Sequence, residues 1–462
     1  MDEILFTVKR PLLILQVSTT DIAGGAERIA WNLFQTYRQR RHGSWLAVGY
    51  KRTDNPNVFL VPNDSSRNWC ARTWIAAGNT LSPLVGVVRG VGLLRNWIQL
   101  IGQPKRLLEI QRGREDFDFP GTWQISKLAP NRPDILHCHN LHGGYFDLRA
   151  LPWLSQQLPV VLTLHDAWLL SGHCAHSFDC GRWLAECGQC PDLAIYPAVR
   201  RDATAYNWQR KQKIFSRSRL YVTTPSHWLM KKVEQSILAP AVIEARVIPN
   251  GVDLSIFHPA DRQAARAALG ISQAAKVLLF AANSIRRNIW KDYQTMRAAV
   301  AIVAERMHGQ SLVFLALGED APTEQIGQAE IHFIPYQKDQ SAVARYHQAT
   351  DIYLHAARAE AWGLTVTEAL ACGTPVVATA VGGITEQVED GVTGFLTPPA
   401  DPEAMATRIQ QLLADAELRR TMGSKATESA SKRFTLDRQA DAYLEWFQEI
   451  ISKWQPVRQG ES

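Results

Sequence analysis

The sequence predicts an α/β protein of two halves, each a parallel sheet of buried strands with helices between them. Three observations predict it. Short aliphatic runs recur along the chain, among them Leu12-Leu13-Ile14-Leu15-Gln16-Val17, Val160-Val161-Leu162-Thr163-Leu164 and Lys276-Val277-Leu278-Leu279-Phe280-Ala281. They lack the polar alternation of a half-exposed strand, so they read as strands covered on both faces. Several such runs end in a glycine-bearing loop that opens a helix: Gly24-Gly25, Gly363 and Gly382-Gly383. A helix that starts beside such a loop presents unpaired N–H groups and a positive dipole end, which suits a phosphate. Finally, 462 residues are too many for one core and about right for two or three domains.

Composition narrows the class. With 46% hydrophobic and 20% charged residues the chain is ordinarily globular, and its net charge of +6 suits anionic small molecules or an anionic membrane surface. That charge is too weak to indicate nucleic acid. The first ten residues carry Asp2, Glu3, Lys9 and Arg10 and do not read as a signal peptide. No uncharged apolar run reaches the roughly 18 residues of a membrane-spanning helix. The cysteine pattern suits a reducing cytoplasm, so a cytoplasmic location is expected, with the inner membrane face left open.

The first half begins with the strand at Leu12 to Val17, a loop to Ala23 and a helix opened by Gly24-Gly25-Ala26-Glu27-Arg28 that runs to about Arg41. Trp45 to Tyr50 is a second strand. Residues from about 54 to 131 break the rhythm and read as an insertion. Within them, 81–102 is apolar, Trp-bearing and charged only by arginine, with Arg67, Arg72, Lys105 and Arg106 flanking it. Its interior glycines weaken a helical reading. Two readings stand: a core or lid helix packed on the first domain, or a peripheral contact with a bilayer interface.

Asp134 to Asn140 and Val160 to Asp166 are strands that end in polar residues. Active sites in open parallel sheets collect at carboxyl ends of strands, which is where His139, Asn140, His165 and Asp166 fall. Next comes Cys174-x5-Cys180-x6-Cys187-x2-Cys190 in a loop at 173–191. Four thiolates at such spacing predict one structural zinc ion, with His173 and His176 as substitute ligands and a disulfide pair as the competing reading. Arg200 to Arg217 is a basic helix, Leu220 to Thr224 a strand, and Pro249-Asn250-Gly251 a turn between the halves.

The second half starts at Lys276. The loop after its first strand, Ala282 to Lys291, is rich in cations that suit a diphosphate: Arg286, Arg287 and Lys291. Ser311 to Leu317 and Ile331 to Ile334 are strands, and Tyr336 follows the latter. The densest stretch is Glu360-Ala361-Trp362-Gly363-Leu364-Thr365-Val366-Thr367-Glu368-Ala369-Leu370-Ala371-Cys372-Gly373-Thr374-Pro375-Val376-Val377-Ala378-Thr379. It follows a strand from Asp351 to His355 and reads as loop, helix and next strand. Gly373 caps the helix and Pro375 prevents its continuation. Two carboxylates beside an anion site are placed to accept hydrogen bonds from hydroxyls, and a sugar nucleotide carries hydroxyls on both sides of its diphosphate.

That stretch, with its Glu-x7-Glu spacing, closely resembles the signature of the retaining glycosyltransferases of family 4. The resemblance covers most of the chain outside 54–131 and the cysteine loop. It implies the GT-B fold: two Rossmann-like domains facing across a cleft, with a C-terminal helix crossing back to the first. The limits are then 1–248 for an acceptor-binding domain, 249–434 for a nucleotide-sugar domain, 435–455 for the crossover helix and 456–462 for a tail. By the same resemblance Glu360 contacts the donor sugar and Glu368 the ribose. Backbone around Gly363, Leu364 and Thr365, together with Gly24 and Gly25, holds the diphosphate, and the base lies near Tyr336. Arg286 and Lys291 fit the family's cation pair, although Ile285 and Asp292 stand where the family usually has glycine. His165 corresponds to a histidine near the donor sugar, with His139, Asn140 and Asp166 on the acceptor side.

The implied activity is transfer of a hexosyl unit from a UDP- or GDP-sugar to a glycan or lipid-linked glycan, in polysaccharide or lipopolysaccharide assembly and without a catalytic metal. His165, Glu360 and Lys291 are its expected catalytic residues. A GT-B epimerase or phosphorylase, or a catalytically weak binding subunit signalled by Ile285 and Asp292, are the alternatives.

Overall fold

The computed structural model describes residues 10–307 and 310–455. The tail at 456–462 and the piece around Asp2, Glu3 and Lys9 lie outside the described residues. The chain divides into two compact units: one runs to Thr224, resumes over Met230–Val247 and is completed from Ala442 onward, and the other holds Pro225–Leu229 and Ile248–Asp441.

In the first unit β1 (Leu13–Thr20) leads through α1 (Gly25–Gln39) to β2 (Gly43–Tyr50) and a three-residue β3 (Val58–Leu60). Helices α2 (Trp69–Asn79), α3 (Val91–Ile101) and α4 (Pro104–Gln111) follow. Then come β4 (Ile135–Cys138), α5 (Leu151–Gln157), β5 (Val160–Thr163), α6 (Thr204–Phe215), β6 (Leu220–Thr224), α7 (His227–Glu234) and β7 (Val242–Val247). The sheet order is β3-β2-β1-β4-β5-β6-β7, with every pairing parallel. Every residue of β4, β5 and β6 is buried, as the unalternating runs require. Strand order reverses between β1 and β4, and ligands of open sheets bind outside the carboxyl ends at such a point.

Residues 54–131 are not wholly an insertion. Val58–Leu60 pairs with β2, and Val58 packs on Phe34, Leu46 and Val48 as core. Three residues are too few to show a period, so this strand was not legible. Nor do the glycines of 81–102 prevent a helix. Gly86 and Gly90 lie in the turn before α3 with φ +88, and a Cβ on Gly78 or Gly102 would meet Gln99 Cγ at 2.6 Å or Ala71 Cα at 2.7 Å. Glycine there lets α2 and α3 lie side by side. The structure then ties this segment to the cysteine loop through a buried ion pair. Lys211 Nζ donates to Glu115 Oε1 at 3.0 Å and to the carbonyls of Trp168 and Ser171 at 2.9 and 3.0 Å.

In the second unit α8 (Arg262–Leu269) precedes β8 (Lys276–Ala281), α9 (Tyr293–Arg306), β9 (Leu312–Leu317), β10 (Glu324–Ile326) and β11 (Ala329–Ile334). These are followed by α10 (Gln340–Ala349), β12 (Ile352–His355), α11 (Leu364–Ala371), β13 (Val376–Thr379), α12 (Ile384–Gln387) and β14 (Gly394–Thr397). Helices α13 (Pro402–Ala414), α14 (Ala416–Arg433) and α15 (Leu436–Lys453) finish the chain. The order is β10-β11-β9-β8-β12-β13-β14, parallel except between β10 and β11. Here the reversal falls between β8 and β12. From Ala442 onward α15 belongs to the first unit, where the Tyr443 ring lies tilted against His137, centroids 4.8 Å apart, and its hydroxyl shares a hydrogen bond with Thr163 Oγ1 at 3.0 Å. Trp446 Nε1 donates to Glu244 at 2.7 Å. Both rings are fully buried, which contributes about 1.5–3 kcal/mol each relative to exposure.

Candidate active site

At the reversal point of the second unit, the loops after β8 and β12 bring Lys291 and Glu360 together as an ion pair. The backbone makes the junction: Arg358 N–H donates to the Trp290 carbonyl at 2.8 Å and Asp292 N–H to that of Ala356 at 3.0 Å. His355, last residue of β12, lies beneath the pair, its Nε2 3.2 Å from Lys291 Nζ and 3.5 Å from Glu360 Oε2. Burial alone would raise the Glu360 carboxyl. Lys291 and His355 more than offset it and hold the group well below the usual carboxylate range. His355 is pushed down to about 4, first by burial and then by Lys291. The cluster is therefore a cation and an anion around a neutral imidazole at pH 7.

Glycines set the Glu360 backbone. Gly383 N–H donates to the Glu360 carbonyl at 2.9 Å. A Cβ on Gly382 would stand 2.0 Å from that oxygen, and one on Gly383 would stand 2.1 Å from the Ala361 carbonyl oxygen. Gly363 caps α11; Gln387 receives its N–H at 3.0 Å and donates to its carbonyl at 2.9 Å. Leu364 and Thr365 are the first two residues of α11, whose amides no carbonyl of that helix can reach. The Thr365 hydroxyl receives Tyr353 O–H at 2.7 Å. Glu368 sits one turn further in and is 3% exposed, with His347 Nε2 3.8 Å from its carboxylate.

The cation loop is not a uniform anion site. Arg286 turns to Glu319, which receives its Nε–H at 2.7 Å and its backbone N–H at 2.8 Å, and its guanidinium lies 4.9 Å from the Phe333 ring. Arg287 is exposed, as is Tyr336 after β11. Ile285 and Asp292 have structural explanations. Ile285 is fully buried in the second unit's core, and Asp292 caps α9, receiving Thr295 N–H at 3.1 Å.

At the corresponding point of the first unit, Gly24 caps α1 and Gly25 opens it. Beyond β4, His139 Nδ1 meets His165 Nε2 at 3.0 Å, and His139 Nε2 meets the Gln16 side-chain amide at 3.0 Å. With the Gln16 nitrogen donating to Ala30 and to His139 Nε2, His139 carries its proton on Nδ1 and donates it to His165. Burial pushes His165 down to about 4 and His139 well below its ordinary value. Asn140 adjoins them, its carbonyl receiving Tyr145 O–H at 2.8 Å. Asp166 reaches a residue that sequence reasoning missed: His142 Nε2 stands 2.7 Å from Asp166 Oδ2, with Tyr196 O–H 3.3 Å from Nδ1. Burial opposes charge on both partners, yet each favours the charged form of the other: His142 is raised and Asp166 lowered. His142 borders a cavity of about 240 Å³ with Glu115, Phe117 and Trp168.

The zinc centre expected at the four cysteines finds no support in their geometry. Among the described residues no three His, Cys, Asp or Glu groups stand where one ion would hold them. None of the four is in a disulfide. Cys187 Sγ receives Gly172 N–H at 3.3 Å, Cys190 Sγ lies 3.3 Å from His173 Nε2, and Cys174 Sγ lies 3.6 Å from Ser171 Oγ. Sequence reasoning also missed His355, Gln16, Gln387 and Asp21. Asp21 is a fully buried carboxylate that receives Arg52 and Thr53 N–H at 2.9 and 2.8 Å. The strand-end rule that singled out His139 would have found His355; a glutamine inside a helix carries no comparable signal.

The chain matches known proteins in sequence and in fold. The family model described as glycosyl transferases group 1 matches residues 261–429, and the one described as glycosyltransferase family 4 matches residues 23–256. The D-inositol 3-phosphate glycosyltransferase of Mycolicibacterium gilvum is 32% identical over 82% of this chain and 79% of its own length; that of Mycobacterium marinum is 34% identical over 80% and 74%. With the namesakes from Saccharomonospora viridis and Segniliparus rotundus the match spans about half of the relative, 50% and 45% of its length. Among solved structures, Anabaena HepE in complex with UDP-glucose aligns over 95% of this chain and 100% of its own, at 17% identity and a TM-score of 0.59. Sucrose-phosphate synthase from Thermosynechococcus elongatus aligns over 96% and 100%, at 18% identity and a TM-score of 0.59. At such identities these two show the fold: two Rossmann-like domains of the GT-B kind.

Proposed function

The chain belongs to glycosyltransferase family 4, and we propose that it moves a glycosyl unit, with retention, from a nucleotide-diphosphate sugar to an acceptor hydroxyl. The observation that carries this reading is the Lys291–Glu360 pair over His355, beside the start of α11. A departing diphosphate needs positive charge at the moment its bond breaks, and a lysine and a helix N-terminus supply it in fixed positions. The Glu360 carboxylate is ionised and suited to receive a sugar hydroxyl, and Glu368 a ribose hydroxyl.

The acceptor oxygen bonds to the anomeric carbon on the face from which the diphosphate leaves. The carbon–oxygen bond to the diphosphate breaks with its electron pair on the phosphate oxygen, which takes the acceptor proton. No carboxylate is assigned to the opposite face, so no covalent intermediate is invoked, and a trapped glycosyl-enzyme adduct would overturn the route. Lys291 and the helix end fill the charge-balancing role without a metal ion. UDP-glucose leads the donor candidates because HepE binds it. A glycan of polysaccharide or lipopolysaccharide assembly is the proposed acceptor class.

A thermal-shift panel of UDP-, GDP- and ADP-sugars tests the donor site. One nucleotide class should stabilise the protein by about 2.7 kcal/mol at a hundredfold excess over Kd, with the effect lost in Glu368→Ala. No shift with any donor overturns the reading. The anomeric configuration of the product, read by NMR, tests retention.

A further inference from the structure

We propose that the α2–α3 hairpin of the first unit docks the protein onto an anionic lipid bilayer. Among the described residues, 21 large apolar side chains are exposed, and ten of them fall between Trp69 and Ile101. Trp69 is 80% exposed, Val87 79% and Leu93 70%. No residue of α3 is buried. Leu93, Trp97 and Ile101 recur every four residues and so share one helix face. A soluble surface rarely gathers so much apolar area in one place.

Charge identifies the occupant. From Ser65 to Leu108 there is no Asp or Glu, but six cations. Arg67 and Arg106 are held by Asp118 and Asp116. Arg72, Arg89 and Lys105 are exposed and make no ion pair among the described residues. Apolar side chains rimmed by unpaired cations, with tryptophan at both helices, match the boundary of a bilayer carrying anionic headgroups. A second copy fits worse, since a twofold contact would set these cations against themselves. No helix among the described residues is long and apolar enough to cross a membrane, so the contact is interfacial. The hairpin is also two-sided. Arg95 and Gln99 of α3 both donate to Asn79 at 2.9 Å and line a cavity of about 800 Å³ with Tyr50 and Asn63 at the carboxyl ends of β2 and β3. Its polar edge faces the protein and its apolar face is left over.

The test is co-sedimentation of the full chain with vesicles of phosphatidylcholine alone and of phosphatidylcholine mixed with phosphatidylglycerol, at low and high salt. Binding to the anionic vesicles should be about 10-fold tighter or more and should weaken with salt. Leu93→Asp with Trp97→Asp should abolish it. Arg72→Gln, Arg89→Gln and Lys105→Gln together should reduce it to the phosphatidylcholine level. All five positions are exposed, so melting temperature and donor-induced shift should not change; an unchanged donor shift separates this inference from the reading of the active site, on which it does not rest. Absence of binding to either vesicle overturns the proposal. So does a dimer in light scattering that Leu93→Asp dissociates, which would make this face a self-interface.

Discussion

The carboxyl ends of β8 and β12 and those of β1 and β4 occupy the same place in two sheets of like strand order, yet they hold different chemistry. In the second unit a lysine and a glutamate are locked together over a neutral histidine. In the first, the strand ends carry a chain of uncharged imidazoles from Gln16 through His139 to His165. Topology decides where a site forms; the side chains decide what it handles. On the proposed reading, the second unit would face the charged leaving group and the first the acceptor.

The sharpest test of charge in the first unit is its buried Lys211–Glu115 pair, which lies away from the strand ends. Glu115→Ala leaves Lys211 buried and unpaired and should cost about 3–5 kcal/mol in urea unfolding, most of it recovered when Lys211→Met is added. A single variant of normal stability would show that the charge there is not architectural. Next in size, Lys291→Ala should lower kcat by about 10²–10³ while the fold persists; a loss below about tenfold would move the charge-balancing role elsewhere. Gly383→Ala adds a Cβ 2.1 Å from the Ala361 carbonyl oxygen. Displacing the Glu360 backbone in this way should lower kcat/KM by about 10² with Lys291 untouched.

The smallest effect sharpens the contrast inside the first unit, by NMR titration of its histidines. His165 should titrate near 4, so its protonation costs stability as pH falls. His142 is raised by Asp166. Its contribution is full below the unfolded value of about 6.5 and is lost as pH rises through the higher folded value. Asp166 is lowered, and its contribution is present above its unfolded value and lost as pH falls through the folded one. The pair is thus intact between those two folded values. Shifts in the same direction for both histidines would contradict this.

Much of this was legible in the sequence because parallel strands buried on both faces announce themselves as unbroken aliphatic runs. Lys291 and Glu360 were legible as members of motifs, and the reversal of strand order explains why they meet. What stayed hidden had a physical reason in each case. Val58–Leu60 is too short to display periodicity. The glycines of 81–102 count against a helix until Gly86 and Gly90 are seen in the turn before α3 and Gly102 is seen against α2. His142 meets Asp166 across a gap of 24 residues that only the sheet closes. The cysteine spacing was suggestive, but ligand geometry depends on a loop path that spacing does not encode.

The Lys291–Glu360 pair has a consequence for selectivity. With Glu360 as its partner, Lys291 is not an open socket for any passing anion. Inorganic phosphate or chloride that drew the ammonium away would strand a carboxylate in a poorly solvated place and gain little. A molecule that offers an anion to one partner and a hydroxyl to the other relieves both at once. If the proposed donor site is right, the resting contact would act as a filter that bulk ions fail and a sugar diphosphate passes.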